Sequence, residues 1–434
     1  MKELLQADRR HAWHPFTQHA TERDPIVIVR ARGASLFDAE DREILDLISS
    51  WWTNIHGHAH PALNQALADQ ADTMEHVMFA GFTHPPAAQL AERLSAVLPG
   101  DLGRVFFSDN GSTAVEVALK LAYQYWRNRG ETGRSGFFAF EGGYHGDTVG
   151  AMSVGRGSGF FSLFEDLMCT VHPLPYAPTW RGDNAVEERE TQALAAFAAA
   201  LDAHGHETAA VIMEPLMQGA GGMRFCRPQF VRRIVELARD AGLLVIFDEV
   251  ATGFGRTGTL FAMEQADVVP DIVCLSKGLT AGYMPMSVTV AREPIYEAFL
   301  DASFDKALAH GHSFTANALA CSVALRSLDL FEEEGTLARV ARIADAHEAV
   351  LERLGAHARV SQPRALGSVL AFELTDSVGS YKTAEGEALR DWFLNAGLNI
   401  RPLGPTVYLM PPYCISDEQL ARAYGGLLEG LDRL

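Results

Sequence analysis

Six short stretches of the chain are almost unbroken in apolar residues: positions 105–108, 136–140, 209–213, 243–247, 271–275 and 286–291. Runs this short that do not alternate with polar residues suit strands covered on both faces, as in a parallel sheet. Between them the spacing becomes helical. Over residues 113–128, Val115, Ala118, Leu119, Ala122 and Trp126 recur on one helical face, and residues 228–241 run from a proline to the stop signal of Gly242. Alternating strand and helix predicts an α/β sandwich.

The two ends read differently. Residues 26–30 and 35–38 have a hairpin rhythm, and beyond residue 325 long helical patterns mix with strands such as 369–374. They are expected to form a smaller α+β lobe. The division is therefore 1–55 and 325–434 for the small lobe and 56–324 for the large sheet. No Pro- or Ser-rich linker, repeat or low-complexity tract separates these parts, so the lobes are expected to pack closely.

Composition narrows the function. A chain of 434 residues with 48% hydrophobic and 21% charged residues can bury two or three domain cores and is not disordered. Its net charge of −19, with no basic tract, would repel a phosphate backbone, so small molecules are the expected partners rather than nucleic acid. The first residues, MKELLQADRR, lack the apolar centre of a secretory signal, and no run of about 18 apolar residues suggests a membrane span. The expectation is a cytoplasmic protein. Five dispersed cysteines (Cys169, Cys226, Cys274, Cys321, Cys414) form no C-x-x-C pair, so neither a structural disulfide nor a zinc cluster is expected of them.

Lysine is scarce, with only Lys2, Lys120, Lys277, Lys306 and Lys382. Lys277 alone follows an apolar run, which places its stem at a sheet edge. It is either an amine activated for Schiff-base chemistry by lost solvation or a lysine snorkelling from a strand end. Asp248 ends another apolar run, at the place where open α/β sheets bind ligands, although such an acid can also simply cap the next helix. Pyridoxal phosphate would unite the pair: its aldehyde condenses with lysine, and its ring nitrogen needs an anion to stay protonated.

A phosphate cradle is available at residues 108–112, between a strand and a helix. Thr113 and Glu116 have capping-box spacing, which predicts a helix starting at Ser112 or Thr113 with free amides facing an anion; an ordinary capped turn is the alternative. Residues 141–147 form a glycine-dense loop in which Tyr144 could stack on a pyridine ring.

Two motifs mislead. Residues 253–258 match G-x-G-x-x-G, but no long helix begins before Pro270 and no acidic ribose ligand follows. His56, His58 and His60 alternate like metal ligands, as do His310 and His312, yet no carboxylate or cysteine has metal-site spacing with them, and no metal is expected.

SDNGSTAVEVALK (108–120), GGYHGDT (142–148), EPLMQGAGG (214–222), DEVATGFGRTG (248–258) and LSKG (275–278) resemble the class III, fold-type I pyridoxal-phosphate aminotransferases in order and spacing, over nearly the whole chain. HAWHPFTQ (11–18), SSWWTNIHGHAHP (49–61), HVMFAGFTH (76–84), HGHSFTAN (310–317) and IRPLGPTVYLMPPY (400–413) resemble the biotin-synthesis members of that family. Those members convert 8-amino-7-oxononanoate (7-keto-8-aminopelargonate) to 7,8-diaminononanoate in two half-reactions. The resemblance implies a large, mostly parallel-sheet domain beside a smaller α+β domain, and a homodimer with shared active sites.

It also implies roles. Lys277 would hold pyridoxal 5′-phosphate covalently, Asp248 would pair with its ring nitrogen, and Gly111 and Ser112 would bind its phosphate. Tyr144 would stack on the ring, with His145 in the same cofactor site and Val250 on the opposite face; Lys277, Asp248 and Tyr144 form the expected catalytic set. Ser313, with Gly311 beside it, would reach the phosphate of the other subunit. Trp51 and Trp52 would line the substrate pocket, and Arg401 would hold the substrate carboxylate by a two-point bond.

Phe16 departs from the pattern, because adenosylmethionine users commonly carry a tyrosine there. Lysine-using relatives resemble this chain at HPFTQ, whereas the double tryptophan resembles the adenosylmethionine users. S-adenosyl-L-methionine is the expected donor and lysine the alternative. Another ω-aminotransferase acting on a diamine or ω-amino acid is the rival within the family. A pyridoxal-phosphate-binding regulator is the rival outside it, disfavoured by the absence of a basic DNA-binding region.

Overall fold

The computed structural model describes residues 1–156, 161–375, 377 and 383–434; Lys382 lies outside the described residues. After a first helix (Lys2–His11) come three strands, β1 (Ile28–Arg32), β2 (Ser35–Asp38) and β3 (Glu43–Asp46). Then follow β4 (Leu102–Ser108), β5 (Gly136–Phe140), β6 (Val171–Leu174), β7 (Thr208–Met213), the short hairpin β8 (Met217–Gln218) and β9 (Arg224–Phe225), β10 (Leu244–Asp248), β11 (Ile272–Leu275) and β12 (Ser287–Arg292). The last strands are β13 (Val360–Leu366), β14 (Val369–Leu374), β15 (Leu398–Asn399) and β16 (Thr406–Leu409).

Seven strands build the central sheet in the order β4-β12-β11-β10-β7-β5-β6. Only β12 runs against the rest, antiparallel to both β11 and β4. Its reversal follows from its connection: residues 276–286 hold a turn but no crossover helix, and parallel neighbours need one. All six apolar runs are strands of this sheet, and β5, β7, β10 and β11 are buried throughout.

Alternate residues of these strands feed two helical layers. Ile212, Ile246, Ile272 and Cys274 pack with Val115, Ala118, Ala122 and Trp126 of helix Gly111–Asn128. Val211, Val245, Phe247 and Val273 share the opposite core with Phe230, Val231, Ile234 and Val235 of helix Pro228–Asp240. Each large side chain buried in this way contributes about 1.5–3 kcal/mol. The edge strand β6 was not expected, because His172 and Pro173 interrupt its apolar pattern; a proline is tolerated at an edge.

Both ends of the chain share the smaller lobe. β1, β2 and β3 are antiparallel, and β3 then pairs in parallel with β15. β13, β14 and β16 form a second antiparallel sheet, flanked by helices Thr336–Gly355 and Asp417–Leu431. Helix Ala318–Glu333 runs unbroken through residue 325, so the expected boundary there falls inside a helix. No helix of the described residues is long and apolar enough to cross a membrane.

Candidate active site

The carboxyl ends of the parallel strands deliver five polar features to one cavity of about 410 Å³. β10 ends in Asp248 and β11 leads to Lys277; β7 leads to Glu214, β5 to the 141–147 loop, and β4 to helix Gly111–Asn128. This is the crevice that open α/β sheets offer to ligands.

Asp248 is held from two sides. Its Oδ2 lies 2.7 Å from His145 Nδ1, and its Oδ1 accepts from the Val250 amide at 3.0 Å. Both side chains are buried. Burial opposes a charge on His145, but the bond to Asp248 and the charges of Asp248 and Glu214 win, and its pKa is raised. His145 is thereby kept as a donor to the carboxylate.

Lys277 sits at the junction of this cavity with a second one. Its backbone takes φ +47°, a left-handed conformation that a side chain tolerates only where the surroundings enforce it. The side chain is only partly covered because it opens onto the cavities. Nζ lies 4.5 Å from the centre of the Trp52 ring. Loss of water lowers its pKa to about 8, against the opposing pull of Asp248 and Glu214.

The phosphate cradle forms with a different cap from the one expected. The helix starts at Gly111, not at Ser112 or Thr113, and Asn110 and Thr113 make the capping box: Asn110 Oδ1 accepts from the Thr113 amide at 3.1 Å, while Thr113 Oγ1 accepts from the Asn110 amide at 3.1 Å. Glu116 is occupied elsewhere, accepting from the amides of Gly150 and Ala151 at 2.6 and 3.2 Å. The amides of Gly111 and Ser112 find no acceptor among the described residues and carry the positive end of the helix. A Cβ on Gly111 would fall 2.7 Å from Val250 Cγ1, so only glycine leaves the cradle open. Ser112 Oγ accepts from the Thr148 amide at 2.9 Å.

Tyr144 lines both cavities, and its hydroxyl donates to Asp147 Oδ1 at 3.1 Å. Glu214 is the residue that the sequence analysis did not single out. It accepts from the amides of Tyr144 and Gly219 at 2.9 and 2.7 Å, and burial raises its pKa to about 7. Its signal was available, since it follows the buried strand β7 just as Asp248 ends β10.

The second cavity, of about 360 Å³, is walled by Phe16, Trp51 and Trp52. Left-handed backbone at Ser49, Ser50 and Trp52 turns the chain sharply here, leaving Trp52 4% exposed and Trp51 42% exposed. Trp52 Nε1 donates to the Tyr408 hydroxyl at 3.0 Å. The Phe16 ring meets Trp51 edge-on at 6.0 Å, and the Arg401 guanidinium lies 5.3 Å from the Trp51 ring centre. Gly311 and Ser313 are exposed and line neither cavity; the Ser313 carbonyl accepts from His76 Nε2 at 2.7 Å.

Residues 253–258 form consecutive turns, followed only by the short helix Ala262–Ala266. Arg256 within them is buried and donates to the carbonyls of Pro411, Trp52 and Asn54, which ties the Trp52 turn in place. The alternating histidines diverge: His56 bonds Ser327, His58 bonds Asp46 and His60 bonds Glu334. His310 and His312 contact each other at 3.3 Å.

This donor set fits pyridoxal phosphate. An amine, a buried carboxylate and the open amides of a helix end face one cavity, one partner each for an aldehyde, a ring nitrogen and a phosphate.

Comparison with known proteins agrees. The model of the family described as aminotransferase class-III matches residues 17–430. The adenosylmethionine-8-amino-7-oxononanoate aminotransferase of Synechococcus elongatus is 49% identical over 424 residues, covering 98% of this chain and 99% of its own. The crystal structure of the enzyme of the same name from Methanocaldococcus jannaschii superposes with a TM-score of 0.93 at 32% identity, over 100% of this chain and 99% of that one. An amine transaminase from an uncultivated Pseudomonas species, in its PLP-bound form, has a TM-score of 0.91 at 31% identity and covers 98% of each chain.

Proposed function

The chain belongs to the class III aminotransferases, and from that premise we propose that it moves an amino group from S-adenosyl-L-methionine to the ketone of 8-amino-7-oxononanoate, giving 7,8-diaminononanoate for biotin synthesis. It is a pyridoxal-phosphate-dependent aminotransferase. When bound, the cofactor supplies an electron sink and a carbon that carries the amino group from donor to acceptor. The observation that carries the reading is the place of Lys277 Nζ, at the junction of a cavity floored by Asp248 and one walled by aromatic side chains.

Lys277 Nζ anchors the cofactor at rest. Once freed by the donor amine, its Nζ would serve as the base that moves a proton at the substrate carbon, a role suited to an amine with a pKa near 8. Asp248 would pair with the ring nitrogen and keep it protonated, with His145 fixing the carboxylate by its hydrogen bond. Gly111 and Ser112 bind the phosphate through their amides, and Ser313 and Gly311 of a second copy complete that cradle in a homodimer. Tyr144 and Val250, which both line the cavity, would hold the ring between them and exclude water. Phe16, Trp51 and Trp52 accommodate the apolar chain of the acceptor, and Arg401 holds its carboxylate.

A second reading, with lysine as donor, is favoured by Phe16, which offers the second cavity no hydroxyl. Holoenzyme mixed separately with each donor distinguishes the two. S-adenosyl-L-methionine should convert the cofactor spectrum to its aminated form, and 8-amino-7-oxononanoate should restore it. Conversion by lysine alone would establish the second reading, and failure of the acceptor to restore the spectrum would refute both.

A further inference from the structure

A cluster away from the cleft has the composition of a metal site. His172 lies on the edge strand β6, His204 is the last residue of helix Val186–His204, and Glu207 ends the turn that leads into β7. One ligand atom from each lies within 4.8 Å of the others. We propose that His172, His204 and Glu207 bind one zinc ion, which clips the edge strand β6 to the end of this helix.

Four observations support the assignment. First, the spacing suits a single ion: Glu207 Oε1 is 2.8 Å from His204 Nδ1 and 3.6 Å from His172 Nε2. Ligands about 2.1 Å from a tetrahedral ion stand about 3.4 Å apart, close to these separations. Second, His172 Nε2 is shielded from water yet has no hydrogen-bond partner, an unusual state for a buried polar atom. Third, the His172 and His204 rings already lie together, centres 4.1 Å apart at 16°, and one shared ion requires them to turn out of that stack. Fourth, the negative end of a 19-residue helix points into the cluster, which favours a cation.

Two imidazoles and one carboxylate, with the fourth position left to water, is a donor set typical of zinc. The cluster lies near the amino-terminal ends of β5 and β7, whereas the cleft lies at their carboxyl ends. Occupancy would therefore tie down the sheet edge without touching the chemistry. His206 is exposed beside Glu207, and Arg134 Nη1 donates to the Gly205 and Thr208 carbonyls at 3.5 and 3.3 Å, so both charges face the cluster.

The test is titration of chelator-treated holoenzyme with zinc chloride by calorimetry, and with cobalt chloride by visible absorbance. The wild type should bind one ion more per chain than His204→Ala, and Glu207→Gln should weaken that ion about tenfold or more. Glu207→His should restore it by completing a three-histidine set. The cobalt complex should show a tetrahedral absorption band that His204→Ala lacks, and saturating zinc should raise the Tm of the wild type but not of that variant. His204 and Glu207 are near half-exposed, so their variants should fold, and unchanged circular dichroism would establish it. Equal zinc stoichiometry in wild type and His204→Ala, or no binding up to millimolar zinc, would overturn the proposal.

Discussion

At the floor of the cleft Asp248 is buried between His145 and a backbone amide, and Lys277 is held in a left-handed conformation on the turn that follows β11. At the mouth Trp51 is 42% exposed, Phe16 is 39% exposed, and Arg401 reaches them from the far end of the chain. The floor is thus fixed by covalent neighbours and buried hydrogen bonds, whereas the mouth depends on how the small lobe sits against the sheet. Chemistry common to a whole family belongs on the first kind of scaffold, and choice of substrate on the second.

Substitutions at the floor should therefore remove the reaction, and those at the mouth should change which molecules undergo it. Lys277→Ala is expected to lower turnover by about 10³-fold or more, with loss of the lysine-linked cofactor absorbance. Lys277→Arg should fare no better, because a group that stays charged cannot exchange the proton. Asp248→Asn should slow both half-reactions about 10²-fold and let the cofactor dialyse away, measured by stopped-flow absorbance and cofactor retention. Unchanged half-reaction rates there would erase the distinction between floor and mouth.

The pH dependence sharpens the same contrast. Burial lowers the pKa of Lys277 to about 8, so the neutral amine that captures the cofactor grows as pH rises and saturates above 8. Loading of apoenzyme should consequently accelerate about tenfold per unit below pH 8 and level off above it, rather than climbing toward the ordinary lysine value. Arg401→Ala should raise KM for the oxo acid about tenfold or more with a smaller change in kcat, as loss of a two-point charged bond predicts. Phe16→Tyr is the mildest case, a several-fold change for S-adenosyl-L-methionine at most, since one neutral hydrogen bond contributes about 0.5–1.5 kcal/mol.

The same contrast governs what could be read from the sequence. Asp248 and Lys277 were legible because a buried strand that stops at a polar residue leaves a local signature, and Glu214 carried that signature too. The capping residue was misassigned because Thr113 and Glu116 have the right spacing, but the amides of Gly150 and Ala151 recruit Glu116 and leave the cap to Asn110. β6 escaped because an edge strand tolerates the proline and histidine that break its pattern. The meeting of Phe16, Trp51 and Arg401 has no local signal, since segments distant in the chain assemble it; only resemblance to a family suggested it.

Everything at the floor depends on which amine carries the cofactor. Reducing the holoenzyme with borohydride makes that link permanent, and peptide mass spectrometry then locates it. The added mass is expected on the peptide containing Lys277 and on no other; a cofactor adduct at Lys120 or Lys306, with Lys277 unmodified, would overturn the assignment of the anchor.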